Sequence, residues 1–330
     1  TILSITIIVL FMLRKIARGR SAVPSNMEGK VVIVTRSSAG IGKETAFELL
    51  KNGARVIFAC RDEKKTLKLL EKTKQIPQRK FKQSAYDRAV FIKLELTSFK
   101  SVKNFVKEFK SMFSSLDLLI NNAGFLATSF SLTEDGLESM IQTNHYSHVL
   151  LTHLLVDVFN QEEARVINVS SIAHNFSNYE TRLKQAFSIE NGQFEEEISS
   201  SSSTKDKLIA YGNTKLASIY FTQYLVEKSS TEKKWSNVSA YSVHPGHVDS
   251  EFMRFTQEIW FLKWSIKLFY PLGWFITKTE NDGAQTQLKL CYDKKEKLSN
   301  GGYYDDCKLG SLNKTTQNTD LKEYLMKETL

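Results

Sequence analysis

Short runs of aliphatic residues alternate with longer segments of helical periodicity between residues 30 and 246. The first run, "KVVIVT" at 30–35, is typical of a strand buried on both faces of a sheet. Strands that alternate with helices are joined by right-handed crossovers, which predicts a doubly wound parallel sheet with helices on both faces. The predicted strands cover 30–35, 54–60, 89–96, 116–124, 164–171 and 237–246, and the main predicted helices cover 42–53, 98–113, 135–159 and 208–229. Since no second alternating set follows, we predict one α/β domain over 30–330.

The N-terminal residues 1–20 differ in character from this domain. A mostly apolar run reaches Leu13 and is followed by four basic residues. The run is shorter than the roughly 20 residues that span a bilayer, but the sequence begins with Thr1 rather than methionine. We expect a truncated membrane anchor whose basic flank lies in the cytosol. A secretory signal peptide and a short buried helix are the alternatives.

Three further segments interrupt or precede the strand–helix alternation. Residues 21–29 are a polar linker, and residues 190–207 are a polar, serine-rich insertion. Residues 252–276 hold three of the four tryptophans and are dense in other aromatics. This aromatic segment is expected to close an apolar substrate pocket or to dip into a membrane, although plain packing against the sheet or a partner subunit would also explain it.

Charge and cysteine content narrow the class of protein. The three cysteines lack the paired spacing of a disulfide framework or a zinc site, so we expect no metal and a reducing environment. The net charge of +9 is compatible with nucleic-acid binding, but no basic stripe interleaved with aromatics accompanies it. Attraction to an anionic membrane, or a solvated face, explains the charge more simply, and we expect no nucleic-acid partner.

The stretch "VVIVTRSSAGIGKE" at 31–44 combines a strand, a glycine-containing turn and a helix start, which is how a Rossmann-type dinucleotide-binding fold begins. Gly40, Ile41 and Gly42 let the backbone approach a pyrophosphate at the helix N-terminus. Arg36 stands where such a turn has its first glycine. A strained residue costs about 1–3 kcal/mol, or up to about a hundredfold in affinity. The arginine could offset part of that loss by turning outward to meet a nucleotide phosphate.

The second predicted strand ends in "FACRDEKK", at the position that reads the adenosine ribose. Arg61 is a candidate to bind the 2′-phosphate of NADP, because a guanidinium pairs with phosphate through two parallel hydrogen bonds. Asp62 follows directly and would favour NAD. A solvated charged turn is the alternative, and NADP(H) is the cofactor we expect.

Tyr211 and Lys215 in "YGNTK" lie four residues apart, which places both on one face of a helix. A tyrosine normally loses its proton near pH ~10, and a neighbouring ammonium lowers this pKa by stabilising the phenolate. Ser171 ends the preceding strand, where its hydroxyl could hold a substrate carbonyl. Asn144 is a polar residue within a half-apolar helix, where it serves catalysis, kinks the helix or makes a core hydrogen bond.

These features, read together, resemble the short-chain dehydrogenase/reductase family, and within it the membrane-anchored branch similar to retinol dehydrogenases. The resemblance runs from about residue 30 to about residue 308. It rests on "TRSSAGIG", "FACRD", "NNAG", "TNHYSHVLLT", "VINVSSIAH", "AYGNTKLA", "VHPGHVDSE", "DGAQT" and "GGYYDDCK", in this order.

The resemblance implies a catalytic tetrad of Asn144, Ser171, Tyr211 and Lys215. Tyr211 would be the proton donor or acceptor, Lys215 would also bind the nicotinamide ribose, and Asn144 would hold a water in a proton relay. The implied cofactor-binding residues are Thr35, Arg36, Ser37, Ser38, Gly40, Ile41, Gly42, Arg61, Glu95, Leu96, Asn122, Ala123, Gly124, Tyr211, Lys215, Pro245, Gly246 and Val248. Pairing into a homodimer through the two long helices is left open.

The sequence departs from the family pattern at Arg36, at Glu95, where an aspartate is usual, at Ser250, where a threonine is usual, and in the insertion 190–207. Because all four tetrad residues are present, we expect an active NADP-dependent oxidoreductase that interconverts an alcohol and a carbonyl. Its substrate would be lipophilic, such as a retinoid, a fatty aldehyde or a sterol-like molecule, and reduction would be the cellular direction. The alternative is a catalytically impaired NADP-binding or interaction protein at a membrane. The expected location is a membrane, the endoplasmic reticulum, with the catalytic domain in the cytosol.

Overall fold

The computed structural model describes Met12, Arg14, residues 18–77, Phe81, residues 83–127, Ser129, and residues 131–177, 204–246 and 278–330. Most of the predicted anchor, residues 190–203 of the predicted insertion, the aromatic segment 252–276 and Val248 lie outside these residues.

Among the described residues, eight strands form one sheet in the order β3-β2-β1-β4-β5-β6-β7-β8. The strands are β1 (Val31–Thr35), β2 (Arg55–Cys60), β3 (Ala89–Lys93), β4 (Leu118–Asn121), β5 (Ala164–Val169), β6 (Val238–His244), β7 (Tyr303–Asp305) and β8 (Lys308–Leu309). All neighbouring pairs from β3 to β7 are parallel. The strand order reverses between β1 and β4, and the predicted doubly wound sheet is confirmed.

The last strand corrects the expectation of a wholly parallel sheet, since β8 pairs with β7 in the antiparallel direction. The two residues that join these strands, Asp306 and Cys307, have φ angles of 47° and 59°. Positive φ at both central positions is the geometry of a two-residue hairpin turn. A chain that reverses so tightly can only add an antiparallel strand.

Helices cover both faces of the sheet. They are α1 (Gly40–Lys51), α2 (Glu63–Glu71), α3 (Phe99–Met112), α4 (Ser139–Ile141), α5 (Ser147–Leu154), α6 (Thr204–Thr231), α7 (Glu280–Tyr292) and α8 (Thr319–Thr329). Short 3-10 helices occur at Lys72–Gln75, Val156–Val158, Ile172–Phe176, Lys233–Trp235, Lys295–Lys297 and Lys314–Gln317.

The core is divided by the sheet into two layers. On one face, Val32 and Val34 of β1 belong to a buried cluster with Leu49 of α1 and Leu288 of α7. On the other face, Ile33 belongs to a cluster that includes residues of α3, α5 and α6. This alternation along β1 explains why its sequence is apolar at every position, as expected for a strand covered on both faces.

The predicted helix at 135–159 is shorter and less regular than expected. It begins with α4, passes through a π-helical turn at Gln142–Tyr146 and continues as α5. The predicted helix at 208–229 is longer than expected, because α6 begins at Thr204 and so takes in the last four residues of the predicted insertion. Helix α2 and the elements after residue 279 were not predicted from the sequence.

Candidate active site

The turn after β1 carries two residues with unusual backbone geometry. Arg36 has a φ of 55° and Gly40, the first residue of α1, has a φ of 63°. A Cβ atom on Gly40 would have no neighbour within 4 Å, whereas one on Gly42 would lie 2.4 Å from Asn122 Nδ2 and 2.8 Å from the Arg36 carbonyl oxygen. The space beside Gly40 is therefore open, whereas Gly42 permits close contact with Asn122 and with the backbone of Arg36.

The N-terminus of α1 keeps its amide groups available to a ligand from this turn. The N-cap residue, Ala39, provides no side-chain hydrogen bond to the helix. The Ser37 hydroxyl points inward instead and donates to the Val34 carbonyl at 3.0 Å. Uncapped amides at a helix N-terminus attract phosphate, so this turn fits a dinucleotide.

The loop after β4 is bonded to the last residue of β1, where the turn after β1 begins. Asn122 Nδ2 donates to the Thr35 carbonyl at 2.9 Å, and the Ala123 amide donates to Thr35 Oγ1 at 2.8 Å. These bonds hold the two loops together where the strand order reverses. In sheets of this kind, ligands bind in the crevice outside the strand ends at that point.

At the carboxyl ends of β2 and β3, Arg61 and Glu95 form an ion pair of 3.4 Å, in which the Arg61 side chain is 78% exposed. Asp62 is engaged elsewhere, since its carboxylate accepts a hydrogen bond from the Lys65 amide and caps α2. The Leu96 side chain is buried, and its carbonyl accepts from Ser147 Oγ at 2.5 Å. Arg61 is the cation among these four residues, and its exposed side chain is accessible to a ligand.

Asn144 lies in the π-helical turn and is buried. Its side-chain amide forms two 3.0 Å bonds with the backbone of Phe125 and donates a third, also of 3.0 Å, to Thr214 Oγ1. A π-helical turn commonly marks a functional site in a helix. Here it places Asn144 between the loop after β4 and α6, a position that the regular helix expected from the sequence did not predict.

Tyr211 and Lys215 lie on one face of α6, with Lys215 Nζ 5.4 Å from the centroid of the Tyr211 ring. Lys215 is 3% exposed, and its ammonium group donates to the Val169 carbonyl at 2.9 Å. A Cβ atom on Gly124 would lie 2.9 Å from Lys215 Nζ and 3.3 Å from Asn144 Oδ1. The lysine ammonium therefore lies between β5, the tyrosine and the loop after β4.

Ser171 follows β5, and its hydroxyl accepts a hydrogen bond from the Ala173 amide at 3.2 Å as the N-cap of the next 3-10 helix. That short helix packs closely on α6, since a Cβ atom on Gly212 would lie 2.5 Å from the Ala173 carbonyl oxygen. Sequence reasoning missed the roles of Gly212 and Thr214, although both lie inside the "YGNTK" motif. The glycine after Tyr211 was the available signal.

Beyond β6, Gly246 has a φ of 86° and follows Pro245. A Cβ atom on Gly246 would lie 2.7 Å from Lys278 Cδ, so Lys278 covers this glycine. Lys278 Nζ also donates to Asp306 Oδ1 at 2.9 Å. The two residues that bound segment 247–277 are thus in contact.

Two buried histidines flank Asn144. His148 Nε2 lies 3.1 Å from Thr35 Oγ1, and His148 Nδ1 lies 3.4 Å from the Asn144 carbonyl oxygen. Burial lowers the pKa of His148 to about 3, and burial also lowers the pKa of His145 to about 3, to which any proton taken up by His148 would add. Both imidazoles are therefore neutral at physiological pH, and His148 connects the turn after β1 to the π-helical turn.

Lys215 thus lies between Tyr211 and the loop after β4 that contacts Asn144, and Ser171 begins the short helix that packs on α6. The other predicted cofactor residues lie at or after the carboxyl ends of β1, β2, β3, β4 and β6, with Val248 outside the described part of the chain. Within that part, His, Cys, Asp and Glu form no group of three or more suited to a metal ion. No described helix is both long and apolar enough to cross a membrane.

A parallel sheet with this order, a glycine turn at its reversal point and a Tyr–Lys pair beside it define a nucleotide-dependent oxidoreductase of the α/β class. The family model described as short chain dehydrogenase matches residues 30–182. Retinol dehydrogenase 11 from Homo sapiens is 35% identical over 300 residues, which cover 91% of this chain and 84% of that protein. Retinol dehydrogenase 14 from Homo sapiens is 31% identical over 300 residues, covering 88% and 82%. The chain belongs to the short-chain dehydrogenase/reductase family and is similar to retinol dehydrogenases.

Solved structures show the same fold. An uncharacterised protein from Mycobacterium paratuberculosis superposes with a TM-score of 0.68 at 23% identity, covering 94% of this chain and 96% of that one. A short chain dehydrogenase from Shigella flexneri, complexed with NADP, superposes with a TM-score of 0.60 at 16% identity, covering 86% and 98%. The predicted family and fold are confirmed, and the chain is an oxidoreductase of the class that interconverts alcohols and carbonyls with a nicotinamide dinucleotide.

Proposed function

We propose that this protein is an NADP(H)-dependent reductase of lipophilic carbonyl compounds, with Tyr211 as the general acid and base. The observation that carries the proposal is the placement of Tyr211 and Lys215 on one face of α6, with the Lys215 ammonium 5.4 Å from the tyrosine ring. A bound nicotinamide dinucleotide supplies the hydride for reduction and accepts it for oxidation.

Each tetrad residue has a separate task in this proposal. Tyr211 gives its phenolic proton to the substrate oxygen during reduction and takes it back during oxidation. Lys215 stabilises the phenolate electrostatically, because an ammonium favours a nearby anion. Ser171 holds the substrate oxygen beside the phenol. Asn144, fixed by Phe125 and Thr214, orders the proton path behind Lys215.

The apolar nature of the substrate is supported by the surface next to Ser171. Ile172 and Phe176, on the 3-10 helix that Ser171 caps, are 42% and 54% exposed. Two large apolar side chains beside the proposed oxygen-binding serine favour a lipophilic substrate. The retinol dehydrogenases to which the chain is similar point to a retinoid, and fatty aldehydes or sterol-like molecules are the other apolar carbonyl compounds in the proposal.

The choice of NADP over NAD rests on Arg61. Its side chain is exposed at the end of β2, whereas Asp62 caps α2 and is withdrawn from the ribose position. Because NADPH exceeds NADP⁺ in the cytosol, this preference makes reduction the cellular direction. The proposal has three further parts. They are attachment to the endoplasmic reticulum through residues 1–20, a catalytic domain in the cytosol and a homodimer.

Replacing Arg61 by glutamine is expected to weaken NADPH binding by about tenfold to a hundredfold and to leave NADH binding unchanged, because a hydrogen bond to a charged group contributes about 1.5–3 kcal/mol. NADPH and NADH would be titrated into the purified protein and followed by fluorescence. The matched control is Arg55→Gln at the opposite end of β2, where Arg55 pairs with Gln83. Equal losses of NADPH and NADH affinity in Arg61→Gln would contradict the assignment.

The same titration also tests the proposed function. It would be followed by a screen of retinoid, fatty and sterol-like carbonyl compounds, in which the consumption of NADPH is measured. Turnover of an apolar carbonyl compound would support it. Binding of NADPH without turnover of any carbonyl compound would favour the alternative, an impaired NADP-binding protein at a membrane. Arg36 is the residue that motivates this alternative.

Replacing Gly124 by alanine is expected to lower kcat by roughly 10- to 100-fold, because displacement of a catalytic group by about 1 Å can have that effect. The added Cβ would lie 2.9 Å from Lys215 Nζ, so the buried ammonium must move. Steady-state kinetics and thermal unfolding would be compared with Gly310→Ala, a tight glycine beside β8 whose Cβ would lie 3.0 Å from the Tyr303 ring. An unchanged kcat in Gly124→Ala would argue against the proposed role of Lys215.

A further inference from the structure

The Arg36 side chain reaches from the turn after β1 to the loop after β4. Its Nη1 atom donates a hydrogen bond of 2.5 Å to the carbonyl oxygen of Gly124. The backbone of Arg36 is in the left-handed region, with a φ of 55°. An arginine is therefore kept in a conformation that favours glycine, while its guanidinium bonds to the neighbouring loop.

The hydrogen bond from Arg36 to Gly124 lies at the crevice outside the strand ends, between the loops after β1 and β4. The strand order reverses between β1 and β4, and dinucleotides bind outside the strand ends at such a reversal. A hydrogen bond from Asn122 to Thr35 already joins the loop after β4 to the start of the turn after β1. The bond from Arg36 to Gly124 adds a second link between the same loops, on the side of the turn that carries the exposed arginine.

The far end of the link lies beside the proposed catalytic groups. Gly124, whose carbonyl accepts the bond, is the residue whose Cβ atom would approach Lys215 Nζ and Asn144 Oδ1. A dinucleotide that reached from the turn after β1 to the proposed catalytic groups would therefore meet this guanidinium.

We propose that Arg36 is a latch across the dinucleotide crevice, which holds Gly124 in the free protein and must release it when the cofactor binds. This inference rests on the proposed function and goes beyond it, because it assigns Arg36 to the control of cofactor affinity. Hydrogen bonds to charged groups of this kind lower the affinity of a competing ligand by about tenfold to a hundredfold. NADPH and NADH would be affected equally, since the latch does not contact the site of the 2′-phosphate at Arg61.

A pairing of Arg36 with the pyrophosphate makes the opposite prediction. In that case the guanidinium would bind the cofactor more strongly than it binds Gly124, and its removal would weaken binding. Affinity measurements on variants of Arg36 therefore separate the two roles by the direction of the change.

The test uses the full chain and two variants, Arg36→Gly and Arg36→Asn. Asparagine tolerates a positive φ and is too short to reach Gly124, so the two variants remove the latch with different backbone preferences. NADPH and NADH would be titrated by fluorescence, and association rates would be measured by stopped flow. We expect both variants to bind both nucleotides about tenfold more tightly and to associate faster.

Unchanged or weaker binding in both variants would overturn the latch. Tighter binding in Arg36→Gly alone would also overturn it, since relief of the backbone would then be the cause. Failure of all three proteins to bind either nucleotide would overturn the proposed function and the latch together, whereas binding by the unaltered chain preserves the proposed function whichever way the variants behave.

Discussion

Replacing Tyr211 by phenylalanine is expected to lower kcat for carbonyl reduction by about 10²- to 10⁴-fold, the range over which a positioned acid or base accelerates a reaction. The change removes the proton that the substrate oxygen must receive and leaves the ring in place above Lys215. NADPH binding should be largely retained, because the ring of residue 211, Lys215 and the turn after β1 all stay in place and only the phenolic hydroxyl is lost. Steady-state kinetics with the best carbonyl substrate, combined with a fluorescence titration of NADPH, would measure both effects.

Tyr220 provides the control on the same helix. Its hydroxyl donates to the Thr315 carbonyl at 2.6 Å, so Tyr220→Phe should lower the free energy of unfolding by about 1 kcal/mol and leave kcat unchanged. A kcat in Tyr211→Phe within tenfold of the unaltered enzyme would refute Tyr211 as the general acid. Another group, or water, would then have to supply the proton.

Acid is expected to destabilise the fold steeply, because His145 and His148 are buried in the neutral form. Their folded pKa of about 3 lies below the ordinary value of 6.5. Between these values the unfolded chain binds a proton on each imidazole and the folded chain does not, so the free energy of unfolding falls as the pH falls below about 6.5. Each histidine contributes about 1.4 kcal/mol per pH unit, and the two together remove about 4 kcal/mol at pH 5.

Denaturant unfolding between pH 7.5 and 5 would measure this slope. His148→Gln keeps a polar side chain near Thr35 and should reduce the slope by about 1.4 kcal/mol per pH unit, and His145→Gln should do the same. If one variant fails to fold, the other still gives the difference. A slope that neither substitution changes would show that other groups cause the acid sensitivity.

The sequence predicted the parallel strands and the shared helix face of Tyr211 and Lys215 for physical reasons, whereas the catalytic tetrad stays a prediction from the family resemblance. Strands covered on both faces must be apolar throughout, and the spacing of Tyr211 and Lys215 needs only a regular helix to bring them together. The π-helical turn at Asn144 could not be predicted, because it depends on bonds to Phe125 and Thr214 that are distant in sequence. The β7–β8 hairpin was missed since its strands are short, and α2 was missed since it spans only 9 residues and directly follows the charged residues after β2.

The sequence indicated backbone strain at Arg36 but not the contact that its side chain makes. A side chain at a glycine position indicated strain, and the φ of 55° agrees with that. The sequence could not predict the bond to Gly124, because that bond depends on how the loops after β1 and β4 face each other across the reversal of the sheet.

The contact between Gly246 and Lys278 has a consequence for how proteins of this kind diversify. The domain holds Gly246 and Lys278 next to each other, so the stretch that joins them begins and ends at one place whatever its length. The entropy of closing such a loop rises only slowly with its length, by about 0.6 kcal/mol per doubling. Evolution can therefore exchange or lengthen this stretch at little entropic cost, while the sheet that holds its two ends is inherited unchanged.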